Sequence, residues 1–143
     1  MTTRIAFVCV QNAGRSQMAT AFAEAMVAER DLDVEIVTGG TRPAEHVHEA
    51  VVDAMRGVGI DVSDRTPREI TPGELADCDY AITMGCSAED VCPATWGGES
   101  RDWDLDDPDG RPFDEVRAIR DEVERRVRDL LDEVAVEGDA GSA

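Results

Sequence analysis

Hydrophobic positions along the chain follow two different periods. Apolar runs at residues 4–8, 34–38 and 80–84 predict strands, and a run at 101–105 that alternates charged and apolar residues predicts a short fourth strand. Between these runs apolar residues recur at helical spacing, and a last apolar stripe spans residues 116–134. Strands that alternate with helices predict a single α/β domain with a doubly wound parallel sheet and helices on both faces.

Residues capable of chemistry come directly after three of the predicted strands. Cys9 follows the first strand, Cys86 follows the third, and the pair Asp106 and Asp107 follows the fourth. Ligands of open α/β sheets bind at the carboxyl ends of the strands, and these ends lie along one edge. We therefore expect the candidate site at this edge.

The segment between the first strand and the first helix has the composition of an anion-binding loop. The N–H groups at a helix start, with the positive end of the helix dipole behind them, favour an anion, and the planar guanidinium of Arg15 suits a tetrahedral oxyanion. The same groups favour the thiolate of Cys9, which predicts a nucleophile at neutral pH, and Ser16 could donate to its sulfur. The loop residues are Cys9, Val10, Gln11, Asn12, Ala13, Gly14, Arg15 and Ser16.

Two loop residues suit the backbone that such an anion site requires. Asn12 and Gly14 are residue types that tolerate positive φ, which a loop with inward-facing amides needs. The alternative is that Cys9 is an ordinary buried strand cysteine and Arg15 a surface cation at a helix start. The agreement of strand, loop length, arginine, serine and helix favours the nucleophile.

The arrangement of cysteine, five residues, arginine and serine resembles the low-molecular-weight tyrosine phosphatase family, which includes the thiol-coupled arsenate reductases. The amino-acid sequence of residues 9–19 looks more like that of the reductase branch. Phosphatase relatives usually carry Gly at the position of Gln11 and Cys at that of Gly14. The resemblance implies four parallel strands in the order 2-1-3-4. It also implies that residues 10–16 bind the oxyanion.

An acid is expected near this loop, because an oxygen expelled by a thiolate leaves poorly unless it is protonated. Asp107, directly before Pro108, matches the Asp-Pro element that supplies the general acid in the family, and Asp106 is the alternative. Phosphatase relatives usually carry tyrosines after this element. Here Asp109 and Gly110 follow, which argues against phosphotyrosine as the substrate.

Two cysteines follow the third predicted strand, and a loop rearrangement could bring them within disulfide distance. The resemblance implies that Cys86 and Cys92 are the resolving pair of a thioredoxin-coupled arsenate reductase, with Cys86 attacking Cys9 and Cys92 attacking Cys86, although their order is open. The loop from Gly85 to Gly98 is then expected to be mobile. The implied reductant is a thioredoxin-like protein or a small thiol, and no cofactor is required.

Two other functions remain as alternatives. One is a low-molecular-weight phosphatase that hydrolyses phosphoesters through a phosphocysteine. The other is a non-catalytic module that binds oxyanions or senses redox state. A zinc site on Cys86 and Cys92 lacks further ligands, so no metal is predicted; His46 and His48 are expected to be solvated, and Cys78 is expected to be a small buried hydrophobe.

The charge composition of the chain limits which partners it can bind and indicates the environment in which it works. The chain has 32 acidic residues and 14 basic ones, all of them Arg, for a formal net charge of -18. Such a surface repels nucleic acid and anionic membranes, and its lysine-free composition resembles proteins of salt-accumulating halophiles. Without a basic-then-apolar leader or a long apolar run, we expect a soluble cytoplasmic protein. The domain is expected to span residues 1–136, with residues 137–143 as a disordered acidic tail.

Overall fold

The computed structural model of the protein describes residues 2–84 and 98–142, with side chains up to residue 135. Cys86 and Cys92, and the loop segment 85–97 that we expected to be mobile, lie outside the described residues. The elements, in chain order, are β1 (Thr3–Cys9), α1 (Arg15–Arg30), β2 (Val34–Gly40), α2 (Glu49–Arg56), α3 (Pro72–Ala76), β3 (Tyr80–Met84), β4 (Glu99–Asp102) and α4 (Phe113–Ser142).

The sheet has four parallel strands in the order β2-β1-β3-β4, as the family resemblance implied. Strand β1 lies between β2 and β3, and its last residue, Cys9, pairs with Gly40 on one side and with Met84 on the other. Three strands therefore end side by side at the same edge. This register places Cys9 at the middle of the edge where ligands of such sheets bind.

Alternate residues of β1 face opposite sides of the sheet, and both sides are covered. Ile5 and Phe7 belong to the larger core cluster, whereas Ala6 and Val8 belong to a second cluster that includes Leu75 of α3. All four β1 side chains are fully buried. A strand that is buried on both faces has a continuous apolar sequence. The apolar run at residues 4–8 therefore predicted β1 correctly.

The helices α1 and α4 pack on the same side of the sheet. The predicted apolar stripe of α4 is buried from Val116 to Val134, and from Ile119 onward it belongs to the same core cluster as α1 residues such as Phe22. The helix extends to Ser142 and so includes residues 137–142, where the sequence predicted a tail; the domain boundary at residue 136 stays a prediction. In the part of the chain that the structure describes, every helix is too short or too polar to cross a membrane.

The fourth strand was predicted at residues 101–105 but lies at Glu99–Asp102. The apolar residues that suggested the later position, Trp103 and Leu105, are indeed buried. They are buried as part of the chain leaving the strand: the N–H of Trp103 donates to the carbonyl of Thr83, and its ring packs on Phe7 with 5.9 Å between centroids. The alternating burial of Trp103 and Leu105 therefore results from their packing against the core after β4 has ended.

The end of β2 lies so close to the loop after β1 that it has no room for a side chain. A Cβ atom on Gly40 would lie 2.5 Å from the carbonyl oxygen of Val10 and 3.0 Å from the backbone nitrogen of Asn12. These are backbone atoms, so they cannot move aside without displacing the loop. Glycine at position 40 is thus a condition for the loop's position.

We expect Gly40→Ala to destabilise the protein by about 1–3 kcal/mol, the usual cost of overpacking. The matched control is Gly73→Ala in α3, where the nearest atom to an added Cβ is 4.0 Å away; it should be neutral or stabilising by up to about 1 kcal/mol. Denaturant unfolding of both variants at one fixed high salt concentration measures the difference. Equal stability of Gly40→Ala and the wild type would show that the loop can move away.

Candidate active site

In the loop between β1 and α1, every backbone carbonyl oxygen from Cys9 to Gly14 accepts a hydrogen bond. Four of them accept hydrogen bonds from backbone N–H groups of the segment that follows β2, and the other two accept from α1. Within the described residues, the N–H groups of Gln11, Ala13 and Gly14 have no acceptor. The donor and acceptor atoms are, in order, Thr41 N to Cys9 O, Arg42 N to Val10 O, Ala44 N to Gln11 O, Gln17 Nε2 to Asn12 O, His48 N to Ala13 O and Met18 N to Gly14 O.

This pattern gives the loop the polarity that an anion needs. Carbonyl oxygens repel an anion, and here each of them is directed to a donor elsewhere in the fold. The unpaired N–H groups are then the polar groups that the loop can offer to a ligand, next to the N-terminus of the 16-residue helix α1. The anion site predicted from the sequence therefore has a physical basis in the backbone.

Asn12 is the residue that holds the loop in shape. It is fully buried and has the positive φ, 53°, that the loop uses, whereas Gly14 has φ of -134°. The Asn12 amide oxygen accepts from the backbone N–H of Arg68 at 3.1 Å, which fixes the orientation of the amide. Its nitrogen then donates to Ser16 Oγ at 2.8 Å and to Thr38 Oγ1 at 2.9 Å.

The sulfur of Cys9 has two donors within reach. The N–H of Asn12 donates to it at 3.1 Å, and Ser16 Oγ lies 2.8 Å away. Because Ser16 Oγ already accepts from the Asn12 amide, its own proton is available for the sulfur. Cys9 is 4% exposed, so these donors act away from bulk water. One of the two donors is the serine that the sequence suggested.

Arg15 and Asp107 are brought together across the loop. One amino group of Arg15 donates to the carbonyl of Leu105 at 2.9 Å, and the other lies 3.9 Å from the carboxylate of Asp107. The second carboxylate oxygen of Asp107 accepts from the N–H of Asp109 at 3.0 Å, which orients the side chain. Asp106 faces elsewhere: it lies 3.9 Å from Arg111 and lines a separate pocket.

A pocket of about 270 Å³ lies over the loop. Its lining includes one residue to which the sequence assigned no role, because His48 was expected to be solvated but is half-buried in the pocket wall. A usable signal was its place directly before α2, at the end of the segment that leaves β2 at the ligand-binding edge. The lining residues are Val10, Gln11, Gly14, Arg15, His48 and Asp107.

Gly14 is the point where two walls of this pocket meet the loop. A Cβ atom there would lie 3.2 Å from Pro108 and 3.5 Å from the ring of His48. There is thus little room for the larger residue that phosphatase relatives usually carry at this position. The close contacts with Pro108 and His48 limit the space for a side chain at this position.

The remaining described thiol is separate from the site. Cys78 lies in the cluster on the opposite face of the sheet from Cys9, and its sulfur donates to the carbonyl of Glu74 at 3.3 Å. Burial raises the pKa of the Cys78 thiol to about 11. Within the described residues, no group of three potential metal ligands occurs. The predicted relay residues Cys86 and Cys92 lie outside those residues.

Comparisons with known proteins match this chain over most of its length. The model of the low molecular weight phosphotyrosine protein phosphatase family matches residues 4–140. A Halobacterium salinarum protein named "Putative arsenate reductase" is 58% identical over 134 residues, which are 92% of this chain and 93% of that protein. The organism of this relative supports the halophilic interpretation of the composition.

Two solved structures are also similar. The thioredoxin-dependent arsenate reductase of Corynebacterium glutamicum is 32% identical with a TM-score of 0.79; the match covers 95% of this chain and 63% of that chain. This chain thus spans slightly less than two thirds of that protein. A structure described as an arsenate reductase in the phosphate binding state is also 32% identical, with a TM-score of 0.76, and the match covers 92% of this chain and 98% of that one.

We expect Cys9 and Cys78 to differ sharply in their rate of alkylation by iodoacetamide at pH 7.5. Cys9 should be alkylated, and inorganic phosphate should slow the reaction by occupying the loop. Cys78 should stay unmodified until the protein is unfolded, because its pKa of about 11 leaves almost no thiolate. Peptide mass spectrometry assigns each modified residue, including Cys86 and Cys92. Rapid modification of Cys78 in the folded protein would contradict its assignment as a structural thiol.

Proposed function

The chain belongs to the low-molecular-weight phosphotyrosine protein phosphatase family, and on that premise we propose that it is an arsenate reductase in which Cys9 attacks arsenate. The observation that carries the proposal is the loop itself: Cys9 lies at its start with two donors to the sulfur, and Arg15 and Asp107 line the pocket above it. The identity of 58% to a protein named for arsenate reduction supports the choice of substrate.

In the first step the loop N–H groups and Arg15 hold the tetrahedral oxyanion. The Cys9 thiolate forms a bond to arsenic while the bond from arsenic to a hydroxyl group of hydrogen arsenate breaks. Asp107 gives its proton to that hydroxyl group, which leaves as water. Support for Asp107 as the acid comes from its place in the pocket beside Arg15, whereas Asp106 lines a different pocket. The product of this step is a Cys9–arsenic(V) adduct.

In the second step a further thiol reduces the arsenic. Cys86 attacks the sulfur of Cys9, so that a disulfide forms, the sulfur–arsenic bond breaks and its electron pair stays on arsenic, which leaves as arsenite. Cys92 then attacks Cys86, which releases Cys9 as a thiolate and leaves a Cys86–Cys92 disulfide. Support for these roles comes from the position of both cysteines directly after β3, which ends beside Cys9.

An external thiol closes the cycle. A thioredoxin-like protein or a small thiol would reduce the Cys86–Cys92 disulfide, and similarity to a thioredoxin-dependent arsenate reductase supports the former. The scheme needs no bound cofactor. A cytoplasmic location, where such reductants operate, stays a prediction.

The family resemblance also favours a second candidate, hydrolysis of a phosphoester. Cys9, Arg15 and Asp107 would serve that reaction equally well, with water in place of Cys86 as the second attacking group. Repeated turnover of an aryl phosphate without added thiol supports the phosphatase. Consumption of thiol that depends on arsenate supports the reductase.

We expect Asp107→Asn to lower kcat/KM for arsenate by about 10²- to 10⁴-fold, the usual contribution of a general acid. An asparagine oxygen can keep the hydrogen bond from Asp109, so the local structure should remain. Phosphate binding should persist, since it needs no proton transfer. The matched control Asp106→Asn should change kcat/KM by less than about threefold. Equal losses in both variants would remove Asp107 from its assigned role.

Cys92→Ser should release one equivalent of arsenite per enzyme and then stop in the presence of thioredoxin. The reason is that Cys92 acts only after arsenite has left, so the variant is trapped with Cys9 bonded to Cys86. Mass spectrometry of alkylated peptides after one arsenate turnover identifies the pair directly. Continued turnover of Cys92→Ser would exclude Cys92 from the relay.

A further inference from the structure

His48 is held against the oxyanion pocket from two directions. Its backbone N–H donates to the carbonyl of Ala13 at 3.0 Å, which ties the residue to the loop. Its ring lies over Gly14, close enough that an added Cβ atom would be 3.5 Å from ring atom Cδ2. Both contacts are to the loop that carries Cys9. The imidazole therefore forms part of the pocket wall.

The polar atoms of this ring are not used by the rest of the fold. His48 precedes helix α2 at the capping position, where a side chain often accepts from the first helical N–H groups, but it makes no such bond. Within the described residues its ring has no hydrogen-bond partner or ion pair. A half-buried imidazole without a partner in a polar pocket is available to the ligand of that pocket.

The pocket offers a bound oxyanion few donors outside the loop, and the His48 ring could supply another. One amino group of Arg15 is already committed to the carbonyl of Leu105, so its guanidinium is only partly available. The carboxylate of Asp107 lines the same pocket, and the chain carries a formal net charge of -18. An oxyanion that enters here would gain from another donor outside the loop.

We propose that the His48 imidazole donates a hydrogen bond to an oxygen of the bound oxyanion and is a substrate-binding residue. This proposal rests on the oxyanion pocket of the proposed function. It assigns His48 no part in proton transfer or in the thiol relay. The contact exists in both the bound and the reacting complex, so its loss raises KM more than it lowers kcat.

The chain has two histidines, which makes a direct test possible. In the His46→Gln variant His48 is the sole imidazole, and its ring nitrogens can be followed by NMR during titration with inorganic phosphate at fixed pH and fixed KCl. We expect the ring signals to shift along the same saturation curve as the loop amides. In His48→Gln the remaining His46 ring, which lines a different pocket, should not shift.

Affinity provides the second measurement. His48→Leu should bind phosphate about tenfold more weakly, the loss expected for one hydrogen bond to a charged group, and His48→Gln, which keeps a donor, should recover part of it. His46→Leu is the matched control and should bind as the wild type does. Thermal unfolding of the two leucine variants verifies that both fold.

The outcomes separate this proposal from the function itself. Phosphate that saturates the loop amides while the His48 ring signals stay fixed overturns the role of His48 and leaves the oxyanion site intact. Unchanged phosphate affinity in a folded His48→Leu variant does the same. Absence of phosphate binding to the wild type overturns the pocket and His48 together. Failure to reduce arsenate, with phosphate binding and the ring shift retained, overturns only the choice of reaction.

Discussion

The candidate site depends on where the carbonyl groups of one loop find their donors. A loop can offer N–H groups to an anion only if its own carbonyl oxygens are satisfied elsewhere, because buried unpaired carbonyls are costly. Here β1 and β2 end in register, with Cys9 opposite Gly40. The chain that leaves β2 therefore runs beside the loop, and its N–H groups occupy the carbonyls from Cys9 to Gln11. The parallel sheet thus supplies the donors that its own anion site requires.

The sequence predicted what local chemistry determines. The buried runs identified three strands, and the spacing of Cys9 and Arg15 around a short loop predicted an oxyanion-binding loop. Prediction was weakest where a residue's role depends on partners far along the chain. The backbone N–H of Arg68 lies 56 residues from the Asn12 amide that it fixes, and no local pattern indicates such a pair. His48 was missed although its place after β2 was a usable signal for the ligand-binding edge, because its contact with Gly14 is set only by the fold.

Charge opposes anion binding over most of this molecule. Many of the arginines form ion pairs with carboxylates at the surface, where such pairs contribute little stability. Arg42 differs, because within the described residues it has no such partner and its backbone N–H donates to the loop at Val10. Salt shortens the range of surface charges from about 10 Å at 0.1 M to about 3 Å at 1 M. High salt therefore screens distant carboxylates and leaves contacts inside the pocket nearly unchanged, so the acidic surface need not oppose an anion at the candidate site.

Pocket shape is the described feature that best distinguishes the two candidate reactions. Both begin with attack by Cys9, so the nucleophile, Arg15 and Asp107 cannot separate them. A phosphotyrosine phosphatase must also hold an aromatic group beside the oxyanion, and the described lining of this pocket contains no Phe, Tyr or Trp. The polar side chains that line it are instead those of Gln11, Arg15, His48 and Asp107. A tetrahedral ion needs no aromatic group beside it, so this lining favours arsenate over phosphotyrosine.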